Sequence, residues 1–336
     1  MKNYVKHLFV AAFSCFFLFS CENEMKKEVN KTEKHANGKS ASSSVYDLVY
    51  RWAPVHYQDT DVTGSHGLNG KGDYITAINF DGDWNALNNW ENIVNKAAKA
   101  HCYYSVVETN THWFIVYAFF HPRDWTDNWF LYHWDEHEND LEGYLSIIKK
   151  DGSTYGEMQG IVTVFHNDFY SYTPNGSQLQ GNNENIDGTL SFKNYDGTGH
   201  PKTAQECRGH GLKAHPYCKI NGGDGVIYYP SYSGTAEEPS NANDRDVKYK
   251  LVDIFESGGL WDQRYNTNLF QSSAGVFKRN NGNGHANAPW NWDDHNDGAS
   301  YNGEIAKNPV KLVKHYFKNL GNFSNTYVSN KYQGIN

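Results

Sequence analysis

The chain has 336 residues, with 30 Lys and Arg against 38 Asp and Glu, and a formal net charge of −8. No basic stripe runs along it, which argues against nucleic acid as a partner. The 10 Trp, 24 Tyr and 18 Phe residues beside 30 Gly are typical of a β-rich extracellular protein, in which aromatic faces can stack on sugar rings.

The start of the chain predicts export. Residues 1–20 have a basic beginning, an apolar run and a small residue before Cys21, which is the pattern of a signal peptide. The apolar run is shorter than the roughly 20 residues that a transmembrane helix needs. "LFSC" resembles a bacterial lipobox, in which Cys21 carries the lipid. We therefore expect a protein that is lipid-anchored through Cys21 to the bacterial outer membrane or cell surface.

A flexible segment is predicted to follow the anchor. Residues 21–44 contain almost no apolar side chains, so they cannot bury enough surface to fold and should form a lipidated tether. The remaining residues, 45–336, show no composition break, linker or internal repeat. They are predicted to form a single β-sandwich domain that carries a metal site.

The first part of this domain is predicted to contain one helix among strands. Residues 47–59 have the pattern of a first strand with a turn at Pro54. Apolar residues at helical spacing predict a helix over 84–99. "CYYSVVET" and "HWFIVYAFF" predict a hairpin, and the second run is apolar on both faces, which indicates a central strand covered on each side.

Further strands and a terminal helix complete the predicted fold. "EGYLSIIKK" and the run ending at His166 are two strands around a "KKDGS" turn, and "GTLSFKN", "DGVIYYPS" and "DVKYKLVDIF" add three more. Asn308 and Pro309 begin a helix near the end of the chain. The sum is a mainly β fold, an antiparallel β-sandwich with a few peripheral α-helices.

Three cysteines remain in the mature chain. Cys207 and Cys218 are close enough in sequence to form a disulfide in an exported protein. Cys102 would then be a buried free thiol, and nothing around it in the sequence indicates activation as a nucleophile.

A dense run of charge follows the central strand. In "HENDLEG", Asp140 and Glu142 are two apart and project from the same face at the start of a strand, with His137 three residues before Asp140. Two neighbouring carboxylates are costly to bury unless a cation or a proton compensates them. One imidazole with carboxylates and no thiolate points to Mg²⁺, Ca²⁺ or Mn²⁺. A solvated acidic loop is the alternative that the spacing leaves open.

The stretch "VYAFFHPRDW…HENDLEG" resembles the central signature of the necrosis-inducing, ethylene-inducing-peptide-like protein family, over residues 111–168. That family has a "YxWYxPKD" strand end followed by a "GHRHDWE" heptapeptide. The resemblance implies a divalent cation, Mg²⁺ or Ca²⁺, held by Asp124 of "HPRD" and by His137, Asp140 and Glu142 of "HENDLE". A further family histidine matches His166.

The match to the family is partial. The glycine before the first histidine is Glu136 here, the second histidine is Asn139, and the tryptophan is Leu141. The loop between Asp124 and His137 has 12 residues and is longer than the family loop. A remote relative of the family is therefore expected.

These observations support three functions. The first is an enzyme, a metal-assisted polysaccharide lyase or hydrolase, with His133, His166 or His210 as proton carrier and Tyr170 nearby. The second is a non-catalytic, cytolysin-like protein that binds a glycan or glycolipid through the cation and two flanking tryptophans, Trp125 and Trp129. The third is a structural cation site. The sequence favours recognition or processing of a glycan at the cell surface and leaves open whether the protein is an enzyme or a binding protein.

Two other polar segments have simpler interpretations. His210 lies between the two cysteines in "ECRGHGLKAHPYC", where it either lines the same cleft or bonds to the local backbone. The segment "APWNWDDHNDG" resembles a calcium loop but lacks its bidentate glutamate, so turn formation is the expected role of its aspartates.

Overall fold

The computed structural model describes residues 44–127, 136–220, 224–295 and 302–336, and Ser43–Asn336 cluster as one compact unit. The predicted signal peptide and nearly all of the predicted tether, including Cys21, lie outside the described residues. No helix in the described part of the chain is long and apolar enough to cross a bilayer.

The described residues form four short α-helices and fifteen strands. The helices are α1 Val45–Trp52, α2 Asn89–Asn92, α3 Glu304–Lys307 and α4 Pro309–Tyr316. The strands of the first half are β1 Val55–Gln58, β2 His101–Thr109, β3 His112–Asp124, β4 His137–Lys149, β5 Glu157–Phe165 and β6 Asp168–Thr173. Those of the second half are β7 Gln180–Gly181, β8 Gly188–Thr189, β9 Phe192–Tyr195, β10 Thr198–Gln205, β11 Leu212–Ala214, β12 Val226–Pro230, β13 Val247–Asp253, β14 Phe317–Lys318 and β15 Tyr327–Asn330.

Thirteen of the described strands join in one sheet. Its order is β11-β10-β1-β12-β13-β2-β3-β4-β5-β6-β8, with β9 beside β10 and β15 beside β2. The pairs β1/β10, β12/β13, β13/β2 and β6/β8 are parallel, and the others are antiparallel. The sheet curls, so β11 near one end packs against β4 and β5 near the other.

The predicted mainly β class with few helices is confirmed, whereas the antiparallel sandwich is wrong in its detail. The sheet is mixed, and one sheet supplies both buried faces. Its inner face surrounds one apolar core that includes Tyr117, Tyr144 and Tyr249. The outer face of β2–β6 packs a second core, with Leu145 and Val162, beneath α4 and the segments after β13.

The local predictions had mixed outcomes. The hairpin β2–β3, the doubly covered strand β3 and the terminal helix α4 are confirmed. The predicted strand at 47–53 is instead α1, which begins with a capping box between Ser44 and Asp47. The predicted helix over 84–99 is wrong except for the single turn of α2.

Cys102 is a buried free thiol, as expected. Cys207 and Cys218 are both free thiols as well, so the structure contains no disulfide between them.

Candidate functional site

A cavity of about 690 Å³ opens where β3 ends and β4 begins. The sheet register explains why, because His121 of β3 lies opposite Asp140 of β4 and Phe119 lies opposite Glu142. Cross-strand partners share a face. Since Phe119 belongs to the inner core, Asp140 and Glu142 also face inward, at the open end of that core.

His137 and Asp140 both line the cavity, although residues three apart on a regular strand point to opposite faces of the sheet. The backbone of Asn139, between them, is irregular and brings both side chains to the same side. Asn139 has φ 65°, in the left-handed region. Its amide is satisfied on all sides, donating to Ala86 O and Lys278 O at 2.9 Å and accepting from Asn89 Nδ2 at 2.6 Å. Buried hydrogen bonds therefore hold the turn that aims His137 into the cavity.

All four predicted metal ligands line this cavity. Asp124, Asp140 and Glu142 are buried, and His137 is partly buried. The lining also has the carboxylates Glu206 and Asp293, the imidazoles His166, His285 and His295, and the guanidinium of Arg208. The sequence thus indicated the central carboxylates, His137 and His166, whereas Glu206, Asp293 and the other lining groups come from segments that it did not link to them.

His137 pairs with Asp124, with Nε2 at 3.2 Å from Asp124 Oδ2. Its Nδ1 lies 2.7 Å from the carbonyl oxygen of Asn139, which can only accept, so Nδ1 carries a proton. Burial alone would lower the pKa of His137, but the charge and hydrogen bond of Asp124 outweigh it and raise the pKa to about 9. Burial raises the pKa of Asp124, and His137 opposes that shift.

His210 is fully buried and bridges two carboxylates. Its Nδ1 lies 3.2 Å from Asp140 Oδ2 and its Nε2 lies 3.3 Å from Asp73 Oδ1. Burial alone would lower the pKa of His210, but these two hydrogen bonds raise it to about 10. The ring also stacks on His121, with centroids 3.7 Å apart. His210 therefore stands behind Asp140 and cannot touch a ligand in the cavity.

His166 is the most exposed of the predicted histidines within the described residues, and its side chain is 42% exposed. Its backbone N–H donates to Glu142 Oε1 at 2.7 Å, and its Nε2 lies 3.0 Å from Glu206 Oε1. Burial raises the pKa of Glu142, while the hydrogen bond and charge of His166 oppose that rise. Oε2 of Glu142 is buried and has no hydrogen-bond partner in the described structure.

The other predicted residues have different positions. Tyr170 lies on β6 beside Phe165 and beneath the ammonium of Lys213, outside the cavity lining. Trp125 does line the cavity, but it is 1% exposed and donates its indole N–H to Asp73 Oδ1, so almost none of its ring is accessible to a sugar. His133 and Trp129 lie outside the described residues.

Asp73 is a component of the site that the sequence did not indicate. It accepts hydrogen bonds from the backbone of Asp61 at 2.7 Å and of Arg208 at 2.8 Å, besides those from Trp125 and His210. Arg208 in turn pairs with Asp61 and Asp127 at the rim. Nothing in the sequence around Asp73 links it to residues so far along the chain.

As the side chains stand, no three His, Cys, Asp or Glu residues among those described surround one point closely enough to hold a metal ion. The acidic groups instead form three pairs with imidazoles: Asp124 with His137, Asp140 with His210, and Glu142 with His166.

No protein-family model and no curated protein matches the sequence.

Solved structures do resemble the fold. One described as a toxin fold for microbial attack and plant defence has a TM-score of 0.39 and 14% identity, over 81% of this chain and 90% of that one. A complex of the protein NLPPya with mannosamine has a TM-score of 0.40 and 12% identity over the same shares. The necrosis and ethylene inducing protein 2 from the agent of cocoa's witches' broom disease has a TM-score of 0.28 and 16% identity, over 64% and 75%. These matches agree with the remote resemblance predicted from residues 111–168. At identities of 16% or less and TM-scores of 0.40 or less, the likeness is distant and indicates neither an activity nor a ligand for this chain.

Proposed function

We propose that the cavity binds a divalent cation through Asp124, His137, Asp140 and Glu142, and that the bound cation recognises the acidic group of a glycan. The observation that carries this proposal is the presence of three buried carboxylates at one cavity, with Glu142 Oε2 lacking any partner in the described structure. An unpartnered buried carboxylate oxygen is costly, and a cation compensates it.

The donor set fits such an ion. Three carboxylates and one imidazole suit Mg²⁺, Ca²⁺ or Mn²⁺, which prefer oxygen ligands. Because Nδ1 of His137 donates to Asn139 O, the lone pair of a neutral His137 lies on Nε2, the atom beside Asp124. Binding would release the proton that His137 shares with Asp124. The bound ion would supply a positive charge for an anionic sugar substituent.

Size and position support a glycan as the ligand. A volume of about 690 Å³ accommodates one or two sugar rings, and the lining offers amide, imidazole and carboxylate groups for hydroxyls. NLPPya, one of the remotely similar proteins, has been crystallised with glucosamine and with mannosamine. Attachment to the outer membrane through Cys21 would expose the cavity to extracellular polysaccharides or glycolipids.

Catalysis is the second candidate, and His166 favours it. Its imidazole lines the cavity, is half-exposed and contacts both Glu142 and Glu206. A histidine held between carboxylates can carry a proton to or from a substrate. In a metal-assisted lyase or hydrolase His166 would be the acid or base, whereas the buried His210 would only orient Asp140.

The test is calorimetric titration of the full chain with Mg²⁺ and with Ca²⁺, combined with thermal unfolding. We expect stabilisation by about 2.7 kcal/mol when the cation is at a hundred times its dissociation constant. Asp140→Asn should weaken cation binding by at least about tenfold. Asp246→Asn removes the same charge from a 77% exposed side chain and should change nothing. A wild-type chain that neither binds nor is stabilised by either ion would refute the cation site.

Recognition and catalysis are then separated by incubating the cation-loaded chain with a panel of acidic polysaccharides. Cation-dependent binding without products identifies a binding protein. Products that disappear with His166→Gln, while cation binding is kept, identify an enzyme.

A further inference from the structure

The loop of residues 279–287 forms the cavity wall that faces the start of β4. Three hydrogen bonds hold it to that strand and to the residue just before it: Glu138 N to Asn281 O at 3.4 Å, Asn283 N to Glu136 O at 3.2 Å, and Asn280 N to Glu138 Oε2 at 3.1 Å. A β-bridge joins Gly282 to His137. The loop is therefore held directly against one of the proposed cation ligands.

Two glycines permit this close approach. Gly282 has φ 68°, and a Cβ there would collide with the carbonyl oxygen of Glu136. A Cβ on Gly284 would collide with the imidazole of His137. Glycine at both positions lets the loop backbone contact the start of β4 directly. The side chains on either side of Gly284 line the cavity.

Those neighbouring side chains are polar and uncharged. Asn283, His285 and Asn287 all line the cavity. Asn283 and His285 are exposed, and within the described residues their side chains have no hydrogen-bond partner; Asn287 uses only its oxygen, which accepts from Asn291. Partial burial lowers the pKa of His285, with His137 and Arg279 adding to the effect, so the ring is neutral at neutral pH.

We propose that the 279–287 loop is the part of the site that determines sugar specificity: Asn283 and His285 bind ring hydroxyls of the sugar whose acidic group lies at the cation. The inference rests on the proposed function, since it assumes that an acidic sugar occupies the cavity.

The chemistry of the loop fits hydroxyls better than charged groups. A hydroxyl both donates and accepts, and an amide or a neutral imidazole offers one group of each kind. The wall formed by the end of β3 and the start of β4, by contrast, has the carboxylates of the proposed cation site. The cavity thus has a charged side for an acidic substituent and a neutral side for a polyhydroxylated ring. The rigid contact through Gly282 and Gly284 fixes the distance between the two.

Two probe acids test the loop. Glucuronate has a carboxylate and ring hydroxyls, whereas cyclohexanecarboxylate has the carboxylate and a six-membered ring without hydroxyls. Both are titrated into the full chain at saturating Mg²⁺, and Mg²⁺ is titrated separately without either acid. We expect the unmodified chain to prefer glucuronate.

Asn283→Ala and His285→Ala should each weaken glucuronate binding about five- to tenfold, the effect of losing a neutral hydrogen bond. Both should leave the binding of cyclohexanecarboxylate and of Mg²⁺ unchanged. Asn281→Ala is the matched control, because its side chain contacts Glu91 and Asn280 outside the cavity, and it should bind as the unmodified chain does. Thermal unfolding of each variant verifies that the fold is kept.

The outcomes separate the two proposals. Equal binding of both acids with intact Mg²⁺ binding, or unchanged glucuronate binding by the Asn283→Ala/His285→Ala double variant, would overturn the loop assignment alone. Failure of Mg²⁺ to bind overturns the cation site. Failure of glucuronate to bind the unmodified chain while Mg²⁺ still binds would overturn the recognition of an acidic sugar and, with it, the loop assignment, and would leave the cation site standing.

Discussion

At the scale of single residues, the buried histidines of this protein have opposite charge states. His137 and His210 touch carboxylates, and their pKa values rise to about 9 and about 10 despite their burial. His56 contacts no acidic side chain among the described residues: it lies 2.9 Å from Thr203 Oγ1 and stacks on Phe119, with centroids 4.1 Å apart. Burial lowers its pKa from 6.5 to about 3, so the folded protein keeps this ring neutral.

His56 should make the protein acid-sensitive. Its folded pKa lies below its unfolded pKa, so between the two values the unfolded chain binds the extra proton. The stabilising contribution is present above about pH 6.5 and is lost as the pH falls towards 3. From pH 8 to pH 5 we expect a loss of about 2 kcal/mol from this residue. His56→Phe, which keeps a ring beside Phe119, should remove that part of the pH dependence in urea unfolding at both pH values. An equal loss in variant and wild type would contradict it.

Residue-scale inference from the sequence found the centre of the site but not its surroundings. Asp140, Glu142 and His137 share one local segment, so spacing and resemblance were enough to group them. Asp73 and Glu206 contact His210 and His166 across large sequence separations. No local pattern marks such residues, because only the curled sheet brings β10, β11 and the segment before β2 to one place.

At the scale of elements, the segment 81–87 shows how hydrogen bonds from the backbone to side chains can prevent a helix from forming. It overlaps the start of the helix predicted over 84–99, yet three successive side chains in it accept a hydrogen bond from the backbone N–H two residues further on. Asp81 accepts from Asp83 N, Asp83 from Asn85 N, and Asn85 from Leu87 N. Such bonds take the N–H groups that a helix would use. The apolar periodicity is real, but it covers a chain of turns packed on the outer core.

Removing these turns should destabilise the fold. The double variant Asp83→Ala/Asn85→Ala improves helix propensity but loses the hydrogen bonds that the two side chains accept from Asn85 N, Leu87 N and Asn88 Nδ2. We expect its free energy of unfolding to fall by about 1–3 kcal/mol in urea titration. Asn95→Ala is the control, since Asn95 is exposed and its side chain has no partner within the described residues, and it should have little effect. A more stable double variant with increased helical circular dichroism would mean that the segment is a helix in solution.

The first element of the domain, α1, begins with a capping box that is visible in the sequence. Ser44 and Asp47 form a reciprocal capping box, with Asp47 N donating to Ser44 Oγ at 3.1 Å and Ser44 N donating to Asp47 Oδ2 at 3.0 Å. That pair precedes an amphipathic run with Leu48, Val49 and Trp52 buried. The alternation of residues over 47–59 favoured a strand, but the cap and the burial of one helical face outweigh that pattern.

At the scale of the whole molecule, the difference between a sandwich and the observed fold lies in what covers the central strand. Sequence shows that β3 is apolar on both faces, and both arrangements would satisfy that pattern. Strand order depends on contacts between distant segments, such as β13 beside β2 and β1 beside β10. Local periodicity contains no information on these pairings. In the observed fold the inner core lies within the curl, and α4 and the segments after β13 close the outer core.

Adjacent residues of β3 test this two-core arrangement. Phe119 belongs to the inner core and Phe120 to the outer core, and both are 0% exposed. Phe119→Ala and Phe120→Ala should each lower the free energy of unfolding by about 3–5 kcal/mol, because each leaves a cavity in a filled core. Phe192→Ala, at a ring that is 38% exposed, should cost much less. Urea unfolding of the three variants measures the difference. If either β3 variant costs under about 1 kcal/mol, that face of the strand is open to solvent and the core to which the substituted residue belongs does not pack as described.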